Sequence, residues 1–480
     1  MRRSILLLTV CALVSCATNP ATGRREISLM SEAQEISIGK EQDAIILEEM
    51  GVYNDPELQQ YVSGLGMQLA KLSERPNLPW SFLVVDQPAI NAFALPGGFI
   101  YITRGILPFL QDEAELVGVL GHEIGHVTAR HSAQQYTRQI GGTVGLVALG
   151  IFVPQARPFG DLASTGLGVL FLKYGRDDEI QADSLGARYA VRGNWDPGGV
   201  AGMLSTLGRL DEADGTRKGV PNFLSTHPEP LARVEEIQPQ LAQLRAGQTN
   251  LKTDREALVR RMDGLLFGDN PEQGIFRGTE FLHPVLRLRL TFPTGWDVQN
   301  SPQQVMAKAP DAEVYMLLQA VPGEAARGGN IQEIAINSME SAGFRAVQGE
   351  QDDINGIQSF VGVYQGQLEG GGTVAMRAAH IPHNGTVYLL GGMTTPDLFQ
   401  QADGAFVSAI RTFRPLSAAE AEAIKPNRVD LYVVRQGDTW ASLAERNGNL
   451  IKPSSLAIMN GAQPNSTPEV GSRIKIVVGG

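Results

Sequence analysis

The sequence predicts an α+β protein in three parts. A mainly helical domain with a small sheet comes first, then a separate α+β domain, then a small βααβ module. Three observations predict this. The pentad His122-Glu123-Ile124-Gly125-His126 lies in an apolar stretch with helical spacing. Between residues 275 and 415 short β-rich runs alternate with helical ones. The last segment, 429–478, opens and closes on strand-like runs around helical ones. A chain of 480 residues with 43% hydrophobic content is long enough for two or three domains.

The first residues resemble an export signal. Arg2 and Arg3 form a basic start, Ile5–Ala12 is apolar, and Leu13-Val14-Ser15-Cys16 follows. The tetrapeptide resembles a bacterial lipobox. That resemblance implies a signal peptide over 1–15, cleavage before Cys16 and lipidation of Cys16, which would attach the chain to a membrane. The apolar run is too short to span a bilayer. Ala17 resembles the outer-membrane sorting pattern of Gram-negative lipoproteins, implying the periplasmic face of that membrane. Cys11 and Cys16 are the two cysteines. With one removed and one lipidated, a thiol-protease mechanism and a disulfide scaffold are excluded. The net charge of −11, without a basic run, argues against a nucleic-acid partner.

Residues 16–30 read as a polar tether, and 31–250 as the first domain. Residues 31–72 alternate apolar and charged positions at helical spacing, with Ser31 or Asp55 as caps. Trp80–Asp86 reads as a strand, and Phe93–Ile102 as a hairpin turning at Pro96-Gly97-Gly98. A helix is predicted over about 113–131, with Asp112 as N-cap and Glu115 as its capping-box partner. Gly118, Gly121 and Gly125 fall on one side of it, a flat face for close packing. Gly141–Val153 is apolar and glycine-rich, read as a buried helix or loop, with a mobile hydrophobic flap near the site or the membrane surface as the alternative. Asp178–Arg192 and Ala232–Ala246 read as helices.

The pentad carries chemistry. Positions four apart share a helix face, so His122 and His126 present two imidazoles to one point. A tetrahedral Zn²⁺ takes such a pair, at about 2.0–2.1 Å per nitrogen. Glu123 points aside, where a carboxylate serves as general base toward a water without ligating the metal. His131, expected opposite His122 on the same helix, reads as structural. A catalytic zinc needs a third protein ligand. Glu179 and Asp183 lie four apart on one helix face. Glu179 suits the ligand role, and Asp183 suits a carboxylate that accepts a ring N–H and fixes the imidazole tautomer. An acidic, solvated helix end with Asp177 and Asp178 fits the same spacing.

The second domain, 275–415, has strand-like runs at Leu286–Pro293, Val314–Val321, Gln358–Val363, Val374–Ile381 and Thr386–Gly391. Its helical runs are Ile331–Ala342 and Pro396–Thr412. His283, His380 and His383 lack ligand-like spacing and read as surface or strand residues. Leu416–Arg428 reads as a weakly helical linker.

The pentad, together with Glu179-Ile180-Gln181-Ala182-Asp183, resembles the gluzincin-type zinc metallopeptidases of the HtpX and prenyl-protein protease kind, closest to their periplasmic BepA-like branch. Asn19-Pro20-Ala21-Thr22-Gly23, Asn91-Ala92-Phe93-Ala94-Leu95-Pro96-Gly97-Gly98 and Ser225-Thr226-His227-Pro228 with Arg233 resemble the same branch. The resemblance implies one Zn²⁺ per chain on His122, His126 and Glu179, with Glu123 as base. It places His227 near the metal, as a contact to the reacting centre or as a latch on the open position; a helix-capping histidine is the plain alternative. An extended substrate would add to an edge strand at Asn91, Ala92, Phe93 and Ala94, a mode suited to unfolded or misassembled envelope proteins.

The C-terminal module resembles LysM. Val433-Val434-Arg435-Gln436-Gly437-Asp438-Thr439-Trp440, Leu443-Ala444, Ile458-Met459-Asn460-Gly461 and Pro468-Glu469-Val470-Gly471 carry the resemblance. It implies binding of peptidoglycan glycan through 429–478. Lys452-Pro453-Ser454-Ser455 departs from the usual helix linkage, which weakens that implication. The resulting expectation is an envelope zinc endopeptidase. The competing class is a lipid-anchored, wall-binding scaffold with latent proteolysis.

Overall fold

The computed structural model describes residues 15–480 except 24, 139–173, 215–222, 324–325, 327–328 and 368–371. The signal segment 1–14 and the run Gly141–Val153 lie outside the described residues.

Two short strands, β1 (Ser15–Thr18) and β2 (Arg25–Ser28), pair antiparallel at the start. The segment expected as a tether touches the first domain at Asn19 and Met30. Asn19 is buried and its amide donates to Ala129 O at 2.9 Å. Arg130 donates to Met30 O.

Helices α1 (Glu32–Met50) and α2 (Pro56–Lys71) follow, and both candidate caps are used. Ser31 accepts from Gln34 N and Asp55 from Leu58 N. Strands β3 (Ser81–Val85), β4 (Ala92–Leu95) and β5 (Phe99–Thr103) form a sheet in the order β3-β5-β4, with β4 on its edge. The β4–β5 hairpin turns where expected. Gly97 there has φ +85°, and a Cβ on it would lie 2.7 Å from Ile36 Cα.

Helix α3 (Glu113–Thr128) carries the pentad and is buried along its whole length. Asp112 caps it by accepting from Glu115 N. The capping box is corrected: the Glu115 carboxylate accepts from Gln111 N at 2.9 Å, one residue before the cap. The helix is also shorter than the expected 113–131. It stops at Thr128, and Arg130 turns into the left-handed region at φ +60°. Residues 131–138 then start a new helical stretch.

Helices α4 (Arg176–Arg192) and α5 (Gly198–Asp214) pack on α3. The glycine face is the reason. Cβ atoms at Gly118, Gly121 and Gly125 would each lie 2.9 Å from backbone atoms of Gly199, Gly186 and Ala182 respectively. Short α6 (Phe223–Thr226) and then α7 (Pro230–Arg245) complete the layer.

Strand β6 (Leu266–Phe267) leads into the second domain. There β7 (Ile275–Arg277), β8 (Glu280–His283) and β9 (Leu288–Thr291) form one sheet, with β17 (Arg414–Pro415) beside β9. The larger antiparallel sheet contains β10 (Asp297–Asn300), β11 (Gln304–Lys308), β12 (Val314–Ala320), β13 (Phe344–Ile354), β14 (Ile357–Gln367), β15 (Thr373–His383) and β16 (Thr386–Thr394). Its order is β10-β11-β12-β16-β15-β14-β13. Helices α8 (Ile331–Ser341) and α9 (Pro396–Ile410) stand where the sequence puts helices. Strand β13 went unseen in the sequence because it is a mostly exposed, polar edge with few apolar positions. His283, His380 and His383 all sit on strands.

The last module is β18 (Asn427–Val433), α10 (Trp440–Arg446), α11 (Pro453–Met459) and β19 (Arg473–Val478), the expected βααβ order. It shares a core with the first domain: Trp440, Leu443, Leu456 and Ile476 belong to one buried cluster with Leu116, Val117 and Leu207. Lys475 is fully buried between them and donates to Pro108 O at 2.6 Å and Leu110 O at 2.7 Å. Gln111 donates back to Ile458 O at 3.2 Å. The module thus braces the chain just before the pentad helix.

Candidate metal centre

One turn of α3 separates His122 from His126, and one turn of α4 separates Glu179 from Asp183. Glycine-to-backbone contact between the helices brings the two pairs together. His227 arrives from the turn after α6, where its N–H donates to Phe223 O at 2.7 Å and its ring stacks on Phe223 at 4.3 Å. His122, His126, Glu179 and His227 are all buried, with donor atoms within 4.8 Å of one another.

The spacing inside this group is informative. His122 Nε2 lies 3.0 Å from His126 Nε2 and 3.3 Å from His227 Nδ1. Glu179 Oε1 lies 3.3 Å from His126 Nε2 and 2.9 Å from His227 Nδ1. Donors at about 2.0–2.1 Å from a tetrahedral zinc stand about 3.3–3.4 Å apart. These four separations lie near that spacing, so the group could hold one zinc ion, with His227 Nδ1 beside the donors of His122, His126 and Glu179.

Surrounding groups hold these donors in place. Asp183 Oδ1 accepts from His122 Nδ1 at 2.8 Å, leaving Nε2 for the cluster. Arg233, at the start of α7, is fully buried; it donates to Asp183 at 2.7 and 2.8 Å and to Glu179. The Arg233 guanidinium offsets one of the two buried carboxylate charges. Burial alone would raise the Glu179 carboxyl, but the His227 and His126 imidazoles hold it well below the usual carboxylate range. Burial pushes His126 and His131 below the ordinary histidine value, which keeps both rings neutral.

Glu123 is different. It is fully buried, and among the described residues neither carboxylate oxygen has a hydrogen-bond partner. Its nearest basic group is His227 Nε2, 3.6 Å from Oε1. Burial pushes its carboxyl up. An ionisable group left orphaned beside a four-donor cluster is placed for exchanging a proton with a molecule that enters.

Asn91, Ala92, Phe93 and Ala94 run along and into edge strand β4, which packs on α3. Just before them, Ile90 O accepts from Phe223 N at 2.9 Å, tying the strand entry to the ring that stacks on His227. Cys16 lies in β1.

Sequence reasoning missed several neighbours. Tyr174 stacks on the His126 ring at 3.9 Å. His131, read as a structural residue opposite His122, instead meets His126 Nδ1 with its own Nδ1 at 2.8 Å. The cause is the break at Arg130, which no helical periodicity foresees.

Comparison with known proteins agrees with this geometry. Residues 56–240 match the model of peptidase family M48, and residues 432–477 match that of the LysM domain. The chain is 31% identical over 241 residues to the beta-barrel assembly-enhancing protease of Escherichia coli K12, covering 48% of each chain. It is 35% identical over 161 residues to the mitochondrial metalloendopeptidase OMA1 of Arabidopsis thaliana, covering 33% of this chain and 31% of that one. The chain spans about half the length of curated relatives such as the first. Residues 56–240, which hold the buried donor cluster's His122, His126, Glu179 and His227, thus resemble peptidase family M48, and residues 432–477 resemble a LysM domain.

Proposed function

We propose that the chain is a zinc endopeptidase of the bacterial envelope that cleaves unfolded or misassembled envelope proteins. The observation that carries this is the buried cluster of His122, His126, Glu179 and His227 beside the Glu123 carboxylate, which has no hydrogen-bond partner among the described residues. A zinc ion held there supplies Lewis acidity to water and to the scissile carbonyl. His122, His126 and Glu179 hold it, and Asp183 orients His122. Glu123 takes the proton from the attacking water and returns it to the leaving amine.

His227 Nδ1 lies 3.3 Å from His122 Nε2, so its ring stands where it could occupy the zinc's open position. That placement favours a latch over a helix cap. It also supports a second reading in which proteolysis is latent and the lipid-anchored chain serves as a scaffold. The His227→Ala variant discriminates: raised casein digestion marks a latch, lost digestion marks a contact to the reacting centre. An extended substrate adds to edge strand β4 at Asn91–Ala94. Lipid on Cys16 holds the enzyme on the periplasmic face of the outer membrane, and residues 429–478 bind glycan. Envelope substrates are supported by the relative named for β-barrel assembly.

Digestion of casein by wild type and Glu123→Gln tests the reading. Cleavage by the wild type alone, abolished by a chelator, is the expected result. Equal cleavage by both would falsify it.

A further inference from the structure

We propose that His131 and Gln181 form a hydrogen-bonded relay that fixes the proton of His126 on Nδ1, so that its Nε2 meets the donor cluster as a lone pair. This rests on the metal-site reading above and adds two positioning residues to it.

The geometry leaves little freedom. His131 Nε2 lies 2.8 Å from Gln181 Oε1. A carbonyl oxygen only accepts, so that nitrogen carries the hydrogen. A neutral imidazole has one N–H, so His131 Nδ1 is an acceptor. It faces His126 Nδ1 at 2.8 Å, which must then be the donor. His126 Nε2 is left bare, 3.0 Å from His122 Nε2 and 3.3 Å from Glu179 Oε1. The opposite orientation would turn the Gln181 NH₂ inward and place a hydrogen on His126 Nε2, pointing into the donors.

The backbone is shaped to make this contact. In a continuous helix, residues five apart do not share a face. The chain instead breaks after Thr128, and Arg130 adopts φ +60°. Non-glycine residues take that conformation where the surroundings enforce it. Here Arg130 Nε donates to the buried Glu35 carboxylate at 2.6 Å, and Arg75 pairs with the same carboxylate at 2.8 Å. His131 is thereby folded back onto His126. The Asp178 carboxylate is 3.9 Å from His131 Nε2, beyond hydrogen-bond reach. The two histidines of the pentad are thus supported differently: His122 by an anion, His126 by a neutral ring and an amide.

Chelator-competition titration with zinc, on the full chain, tests the relay without reference to activity. His131→Phe should weaken zinc binding by about 10–100-fold, the usual effect of removing an outer partner. Gln181→Leu should weaken it as well. Gln181→Glu, whose carboxylate accepts the same bond, should match wild type. Should His131→Phe not fold, the Leu and Glu variants at position 181 decide alone. Equal affinity for Gln181→Leu and Gln181→Glu, or wild-type affinity in a folded His131→Phe, overturns the relay. His122→Ala separates the two claims: it must abolish binding if the cluster is the metal site, whatever the relay does.

Discussion

Adding one methyl group at Gly121 should harm the site more than the fold. A Cβ there would stand 2.9 Å from Gly186 Cα on α4. Ordinary carbon–carbon contact is about 3.5–4.0 Å, so the helices must part by about 0.6–1.1 Å. Overpacking of this kind costs about 1–3 kcal/mol. Alanine returns about 1 kcal/mol in helix propensity, leaving a net loss of about 0–2 kcal/mol. The donors feel the displacement directly, because His122 and His126 ride on α3 while Glu179 rides on α4. A metal site tolerates about 0.2 Å. Gly121→Ala should therefore melt a few degrees below wild type yet lose most of its zinc affinity and casein digestion. Gly64 in α2, where a Cβ meets nothing within 4 Å, is the control. Gly64→Ala should be neutral or stabilised by up to about 1 kcal/mol, with full activity. A Gly121→Ala variant with unchanged zinc affinity would refute the claim that close helix approach sets the donor geometry.

Other substitutions probe the rest of the account. Arg233→Met leaves Glu179 and Asp183 buried without their cation and should destabilise the metal-free chain by about 3–5 kcal/mol. Thermal melts should show that loss shrinking when zinc is saturating, because the dication replaces the missing charge. Trp440→Ala removes a core side chain of the C-terminal module and should cost about 3–5 kcal/mol. Because that core is continuous with the first domain, both should melt together; a separate early transition for the module contradicts the shared core. Burial lowers the Lys475 ammonium from its ordinary value to about 7. The unfolded chain therefore binds more protons between pH 7 and 9, and the Lys475 contribution to stability rises over that window, by at most ~2.7 kcal/mol. Denaturant titrations of Lys475→Met should lack that rise, whereas parallel profiles for the two proteins would show that Lys475 does not titrate there.

Much of the site was legible because its chemistry repeats at helical intervals. His122 and His126, and Glu179 and Asp183, each sit four apart, and the three glycines of α3 share a side. Each pattern is local, and the structure places these residues where local geometry predicts. What escaped the sequence is long-range or depends on a broken period. Arg233 neutralises residues 50 and 54 positions away, which spacing does not report. His131 joins the site through a left-handed residue in the middle of an apparently continuous helix. Within the polar stretch 16–30, the burial of Asn19 depends on a backbone partner at Ala129, which its own neighbours in sequence do not report. In the second domain the half-buried strands showed their alternation, while exposed β13 had none to show. The docking of the LysM module hangs on a buried lysine, a residue type that sequence reasoning places on the surface.

The central claim is a single zinc held by two imidazoles of α3 and a carboxylate of α4. A crystal grown with zinc and measured at the zinc absorption edge tests it most directly. The account predicts one strong anomalous peak, about 2.0–2.2 Å from His122 Nε2, His126 Nε2 and a Glu179 carboxylate oxygen. No peak there, or a peak held by other residues, would contradict it.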